Sequence, residues 1–272
     1  MSSLDAQPCC VCGKETTQKC GACAAAGFDL FFCSREHQKL IWPAHRRVCG
    51  PSAKPFKLPL LSQEEAEDAS RQRDVPSIWI SYNNTYISQM ESLRQYRGAR
   101  TEEVFNGMLR DQTVGRSPDE PLNWAFLNQS RGCRWSRNVD NPSLPVSAFD
   151  RLANFEQALI SRLSPSHEQD WYNGQAENWL SPLRHKALVL FQLEEQRLSA
   201  SPHSSYHPSF HRHAYDVVWR HISSELARDL DAASVAGAKE ALNKSSAMFG
   251  MVDGASVPYV VLPGAISLVQ RA

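Results

Sequence analysis

Four pairs of metal-ligating side chains occupy the first fifty residues of this 272-residue chain: Cys9/Cys12, Cys20/Cys23, Cys33/His37 and His45/Cys49. Seven of the eight cysteines lie in this stretch, the eighth being Cys133. Thiolate sulfur and imidazole nitrogen are favoured ligands of zinc, and a structural site closes a tetrahedron of four. Four pairs therefore supply two sites. The first two pairs leave two residues between ligands, the spacing of a tight turn that aims both sulfurs at one metal. The last two leave three, which puts both ligands on one helix face at i and i+4. Turn pairs followed by helix pairs can be wired in sequence or interleaved, and spacing leaves both open. Cys10 competes with Cys9, but only one residue separates it from Cys12, so Cys9 is the better ligand.

The succession Cys9-x2-Cys12-x7-Cys20-x2-Cys23, then Phe32-Cys33-Ser34-x2-His37-Gln38-x3-Trp42-x2-His45-Arg46-x2-Cys49, resembles the MYND-type zinc finger over residues 9–49. The resemblance implies two interleaved structural zinc sites, Cys9, Cys12, Cys33 and His37 on one ion and Cys20, Cys23, His45 and Cys49 on the other. It implies a protein partner presenting a short proline-rich peptide of Pro-x-Leu-x-Pro type, with Gln38 and Trp42 at the contact positions, and by association a transcription-linked role. The chain departs from the family pattern at His37, where cysteine is usual, and at Gly21, where a hydroxyl side chain can occur. Its stretch from Ala24 to Phe32 is also longer. Imidazole in place of thiolate preserves the i, i+4 geometry and leaves each site with three thiolates and one neutral histidine, net minus one with the dication.

The helical ligands need a helix that starts just before them. Ser34 can cap it, and Glu36 suits the positive end of its dipole. Pro43 then predicts a break, giving two short helices that meet at Trp42 and turn the two ligand pairs toward different metals. Leu40, Ile41 and Trp42 are more apolar surface than so small a module can hide.

On a prior of about 100–200 residues per domain, the chain divides into a finger over residues 1–50, a proline-rich linker over 51–61 and a helix-rich domain over 62–272. The expected fold is mainly α, a small finger in front of a larger helical domain. Some fifty residues bury too little apolar surface to be stable unaided, so the finger is expected to fold on metal and to be disordered without it. Clustered cysteines can also form disulfides, which belong to oxidising compartments. Met1 to Pro8 has neither a basic start nor an apolar core, so no secretory signal is read there, and the expected setting is intracellular, nuclear or cytoplasmic, with reduced thiols. No apolar run approaches a membrane span.

Lysine plus arginine equals aspartate plus glutamate at 29 each, so no global field attracts polyanions. Within the finger, six basic and four acidic residues, six thiolates and two dications also cancel. Nucleic-acid modules usually carry a basic stripe, so nucleic acid is not an expected partner.

The remainder reads as helices separated by turn signals. Ser62-Gln63-Glu64-Glu65 is a capping box that starts a helix running to about Arg73. Ile87, Met90, Leu93 and Tyr96 share one face, and Val104, Phe105, Met108 and Leu109 mark a helix after Thr101. Pro118 to Pro145 reads as a long irregular connection. Phe149, Leu152, Phe155, Leu159 and Leu163 form a stripe after Ser147. Residues 171–198 read as one helical stretch interrupted at Ser181-Pro182. Tyr215, Val218, Ile222, Leu226 and Leu230 outline a single amphipathic helix, Val235 to Met248 a last one, and Ser256 to Val269 an extended segment.

His203, His207, His211 and His213 are spaced like metal ligands, but Pro202 and Pro208 favour a solvated loop leading into a helix. No nucleophile elbow, phosphate loop or His-Glu-x-x-His motif occurs, and Cys133 between Arg131 and Arg134 reads as an incidental thiol. Fingers resembling this one also occur in SET-type lysine methyltransferases, but no Asn-His pair and no cysteine after Cys133 is present. The expectation is a non-enzymatic zinc-binding adaptor. The alternative is an enzyme with an unrecognised catalytic helical domain.

Overall fold

The computed structural model describes residues 6–82, 85–97, 101–114, 126–127, 129–134, 147–198 and 206–247. The fold is mainly α and comprises two compact units, Met1–Pro59 with Ser147–Ser245, and Leu60–Val146 with Ser246–Ala272.

In the first unit, the short strands β1 (Gln7–Pro8) and β2 (Glu15–Thr16) pair antiparallel, Gln7 opposite Thr16. Helix α1 spans Gly21–Ala25 and α2 spans Arg35–His45. The Ser34 hydroxyl accepts a hydrogen bond from the His37 amide at 3.3 Å, and Glu36 stands in the first turn. Pro43 lies inside α2, which is one helix and not the two expected. A proline removes one N–H donor. The flanking turns survive because Leu40, Ile41, Ala44 and His45 are all buried along the face they share. Two 3-10 turns follow, Arg46–Val48 and Gly50–Ser52.

The same unit continues with α6 (Ala148–Ile160), α7 (Pro165–Tyr172), α8 (Glu177–Leu198) and α9 (Pro208–His221), then a π-helical turn (Ile222–Leu226), α10 (Ala227–Asp229) and α11 (Ala232–Ala247). Ser147 and Asp150 form a capping box at the start of α6, whose Phe149, Leu152, Phe155 and Leu159 are buried. The break between α7 and α8 falls around Gly174, at φ +71°, and not at Ser181-Pro182. Pro182 is accommodated within the second turn of α8 because the Ser181 hydroxyl is held there. It donates to Glu177 Oε2 at 2.6 Å and accepts from the Phe56 amide at 2.7 Å. The single amphipathic helix expected after Tyr215 is instead α9, a π turn and α10. Val218, Ile222, Leu226 and Leu230 are spaced by four, which drifts by about 40° per step on a 3.6-residue helix. The wider π turn absorbs that drift, and all four are buried.

Helix α8 is the centre of this unit, packing against α2, α6 and α9. Its Glu194 ties three helices together, accepting from Arg151 of α6 at 2.8 Å and contacting His211 of α9 at 2.7 Å. Arg184 grips Glu156 at 2.7 and 3.2 Å and donates to Glu177 at 2.8 Å and to the Phe56 carbonyl at 3.2 Å. Buried ion pairs add little net stability, yet losing one partner is costly, so they fix which helix faces which. Ala53, Phe56 and Leu58, from the stretch read as a linker, are buried.

In the second unit, Ser62 and Glu65 form the expected capping box at the start of α3 (Gln63–Gln72). A hairpin of β3 (Ser77–Tyr82) and β4 (Thr85–Ile87) follows. It was not expected, although β-branched and aromatic residues flanking Asn83-Asn84 signal one. Helices α4 (Gln89–Arg97) and α5 (Thr101–Val114) bury Met90, Leu93, Phe105 and Met108. Residues 129–134 are helical within the stretch expected to be irregular, and Phe126, Leu127 and Cys133 are buried. The rest of that stretch, His203 and the extended segment expected over Ser256 to Val269 lie outside the described residues. Among the described residues, no helix is long and apolar enough to cross a membrane.

Candidate metal centre

The first ligand pair sits on a knuckle between β1 and β2. The Gly13 amide donates to the Cys9 carbonyl and the Cys9 amide to the Lys14 carbonyl, both at 2.9 Å. Gly13 has φ +77°, a conformation that favours glycine. A Cβ there would also meet the His213 ring at 2.6 Å. The second pair brackets the first turn of α1, where Cys20 is the N-cap residue. Cys33 precedes α2, His37 is in its first turn and His45 is its last residue. A rise of about 1.5 Å per residue separates the two histidines by about 12 Å along the axis, which is how one helix serves two metals.

The structure brings together Cys9, Cys12, Cys33 and His37 in one group and Cys20, Cys23, His45 and Cys49 in another, the ligand atoms of each lying within 4.8 Å of one another. In the first, Cys12 Sγ and Cys33 Sγ are 3.4 Å apart, and His37 Nδ1 is 3.2 Å from Cys33 Sγ and 3.6 Å from Cys9 Sγ. In the second, Cys49 Sγ is 3.5 Å from Cys20 and 3.8 Å from Cys23, while His45 Nε2 is 3.4 and 3.5 Å from the same two sulfurs. A zinc tetrahedron with bonds of about 2.3 Å to sulfur and about 2.0 Å to nitrogen has edges of about 3.8 and 3.5 Å. The separations of 3.2 to 3.8 Å lie within about 0.4 Å of those edges, so zinc fits both. The histidines present different nitrogens, Nδ1 of His37 and Nε2 of His45.

Both histidines are in the neutral form that ligates a metal, because burial holds the His45 imidazole down to about 4 and lowers His37 as well. Burial, reinforced by neighbouring thiols, pushes the Cys33 thiol up to about 12 and also raises Cys23 and Cys49. Crowded thiols resist ionising together, and a bound dication reverses that preference. Cys10 takes no part. Its thiol is buried apart from both groups and pushed up to about 11, while its amide donates to the Phe31 carbonyl at 2.9 Å.

Supports beyond the ligands come from the helices of the same unit, which the finger spacing could not reveal. His213 Nε2 lies 3.1 Å from the Cys9 carbonyl oxygen, and the Phe210 ring meets His37 edge-on at 4.9 Å. Under the second group, His185 stacks on Phe28 at 4.2 Å, meets His45 at 6.3 Å and hydrogen-bonds the Ala53 carbonyl oxygen at 2.9 Å. The histidine-rich stretch is thus divided in its uses. His207 caps α9 by accepting from the Ser209 amide, His211 pairs with Glu194, and His213 reaches the first metal group. Among the described residues, Cys and His gather into no third group. Trp42 stays 43% exposed and meets His45 edge-on at 5.9 Å, with Gln38 half-buried one turn earlier on α2.

The amino-terminal region is therefore a Cys/His finger with two three-cysteine, one-histidine centres, fitted to two structural zinc ions. Residues 9–49 match the MYND finger family, whose fingers are zinc-binding modules for protein–protein interaction. No curated protein and no solved structure matches the chain.

Proposed function

We propose that this chain is a non-enzymatic, intracellular adaptor whose finger recognises a short proline-rich peptide segment of a partner protein through Gln38 and Trp42, in a transcription-linked setting. The observation that carries the reading is the contrast along α2. Leu40 and Ile41 are 4% and 1% exposed, whereas Trp42 is 43% exposed. The indole is held edge-on against His45, a ligand residue, so a metal-filled site gives it a fixed backing. A rigid exposed aromatic with a half-buried amide one turn away offers an apolar platform and a hydrogen-bonding group side by side. An extended proline-rich segment loses little entropy on docking to such a surface.

Calorimetric titration of the zinc-loaded full chain with a Pro-x-Leu-x-Pro peptide tests this. Binding is expected, with at least about tenfold loss in Trp42→Ala, an aromatic anchor being the usual energetic centre of such an interface. Zinc content should stay at two per chain. Equal affinity in the variant would remove the assignment.

A further inference from the structure

Helices α8 and α9, the π turn and finger residues of the first unit line an open cleft of about 530 Å³. Phe28, Trp179, Val217 and Leu226 give it apolar walls, and Lys186 and His221 line it too. A second cavity of about 500 Å³ shares Lys186 and Val217. His221 is 7% exposed, and neither ring nitrogen has a hydrogen-bond partner. The half-buried Lys186 ammonium sits 5.8 Å from the Phe28 ring centroid and is attracted by Glu225 and the Cys10 thiol, but among the described residues no carboxylate or carbonyl oxygen lies within hydrogen-bond reach of it. Of the three carboxylates on the lining, Asp29 pairs with Lys19 at 2.7 Å and Glu225 with Arg228, while Asp229 is exposed, and Arg220 and Arg228 add positive charge to the same rim. Buried polar groups ordinarily find partners, and an imidazole left without one, beside a cation in a roomy, apolar-walled cavity, is the feature of a ligand site. The ligand they require is an anion with acceptor oxygens and an apolar body.

We propose that this cavity binds a small organic carboxylate, its oxygens on Lys186 and His221 and its apolar body between Phe28, Trp179, Val217 and Leu226. The carboxylate can come from a free acid or from the carboxyl terminus of a peptide. Two oxygens meet two donors, the ammonium and the imidazole N–H. This site is separate from the Trp42 face and does not depend on its assignment.

Calorimetry with the zinc-loaded full chain tests it with three probes: phenylacetate, its neutral counterpart phenylacetamide, and the acetylated dipeptide acid acetyl-Ala-Phe. Phenylacetate should bind at least about tenfold more tightly than phenylacetamide, since a charge-assisted hydrogen bond outweighs a neutral one by about that factor. The dipeptide acid binding more tightly than phenylacetate would assign the carboxylate to a peptide terminus, and the reverse order to a free acid. Lys186→Met and His221→Phe should each weaken phenylacetate at least about tenfold, Lys186→Arg should retain most of the affinity, and Trp42→Ala should leave it unchanged. Absence of phenylacetate binding, equal affinity for the amide, or full affinity in Lys186→Met overturns the proposal. The acid-to-amide comparison needs no variant, so it stands even where a substitution unfolds the chain.

Discussion

His213 Nε2 lies 3.1 Å from the carbonyl oxygen of Cys9, two hundred and four residues away in sequence, and its ring fills the space beside Gly13. The first metal knuckle is thereby braced from α9 as well as from its own hairpin. Removing the brace in His213→Ala should cost about 1 kcal/mol for the hydrogen bond and speed chelator extraction of one zinc of the two. Gly13→Ala should be worse, since it adds a positive-φ penalty to a 2.6 Å approach. Chelator-release kinetics read both, and a single unaltered release phase in Gly13→Ala would contradict the bracing.

His37 supplies Nδ1 to the first group, 3.2 Å from Cys33 Sγ. His37→Ala should drop zinc content toward one per chain and loosen the finger. His37→Cys should keep two, because a thiolate at the same helical position still closes the tetrahedron. His207→Ala should leave zinc content unchanged and cost only a helix cap, about 1 kcal/mol. Metal analysis of the purified variants decides, and two full zincs in His37→Ala would refute the ligand set.

Metal removal should not leave a folded helical unit with a loose tail. Phe28, Leu30, Phe32 and Ile41 of the finger are buried, and α2 packs on α8. Chelation should therefore expose residues 9–49 to hydrogen exchange and also lower the thermal midpoint of the 147–245 helices. Unchanged exchange protection in α8 after chelation would contradict this coupling.

Burial, with Lys186 and Arg228 nearby, holds the His221 imidazole down to about 3. The unfolded chain takes up a proton near pH 6.5 that the folded chain refuses. The stability linked to this group is complete above about pH 6.5 and falls as pH drops toward 3, by up to about 1.4 kcal/mol per pH unit. His221→Gln should flatten that slope in denaturant titrations run between pH 6.5 and 5. An identical slope in the variant would sink the prediction.

Local signals in the sequence translated well into local structure. Ser34, Ser62 and Ser147 start helices because each can cap one, and the stripes after Ser147 and Thr101 became buried faces. Spacing left the wiring of the ligand pairs open because a turn and a helix each deliver two ligands without specifying whose. Pro43 and Pro182 signal breaks locally, yet each costs one hydrogen bond that buried neighbours or the Ser181 contacts offset, and the four-residue stripe after Val218 runs through a π turn. The roles of His185, His211 and His213 were illegible because their partners, Ala53, Glu194 and Cys9, are remote in sequence or on another helix. The finger was expected to depend on metal alone, but α8 supplies a surface it can bury against.

The most direct test of the account is the metal content of the full chain purified without added metal or chelator, measured by inductively coupled plasma mass spectrometry. The geometry of the two groups predicts two zinc ions per chain. A chain that carries none, with residues 9–49 still protected from hydrogen exchange, would contradict it.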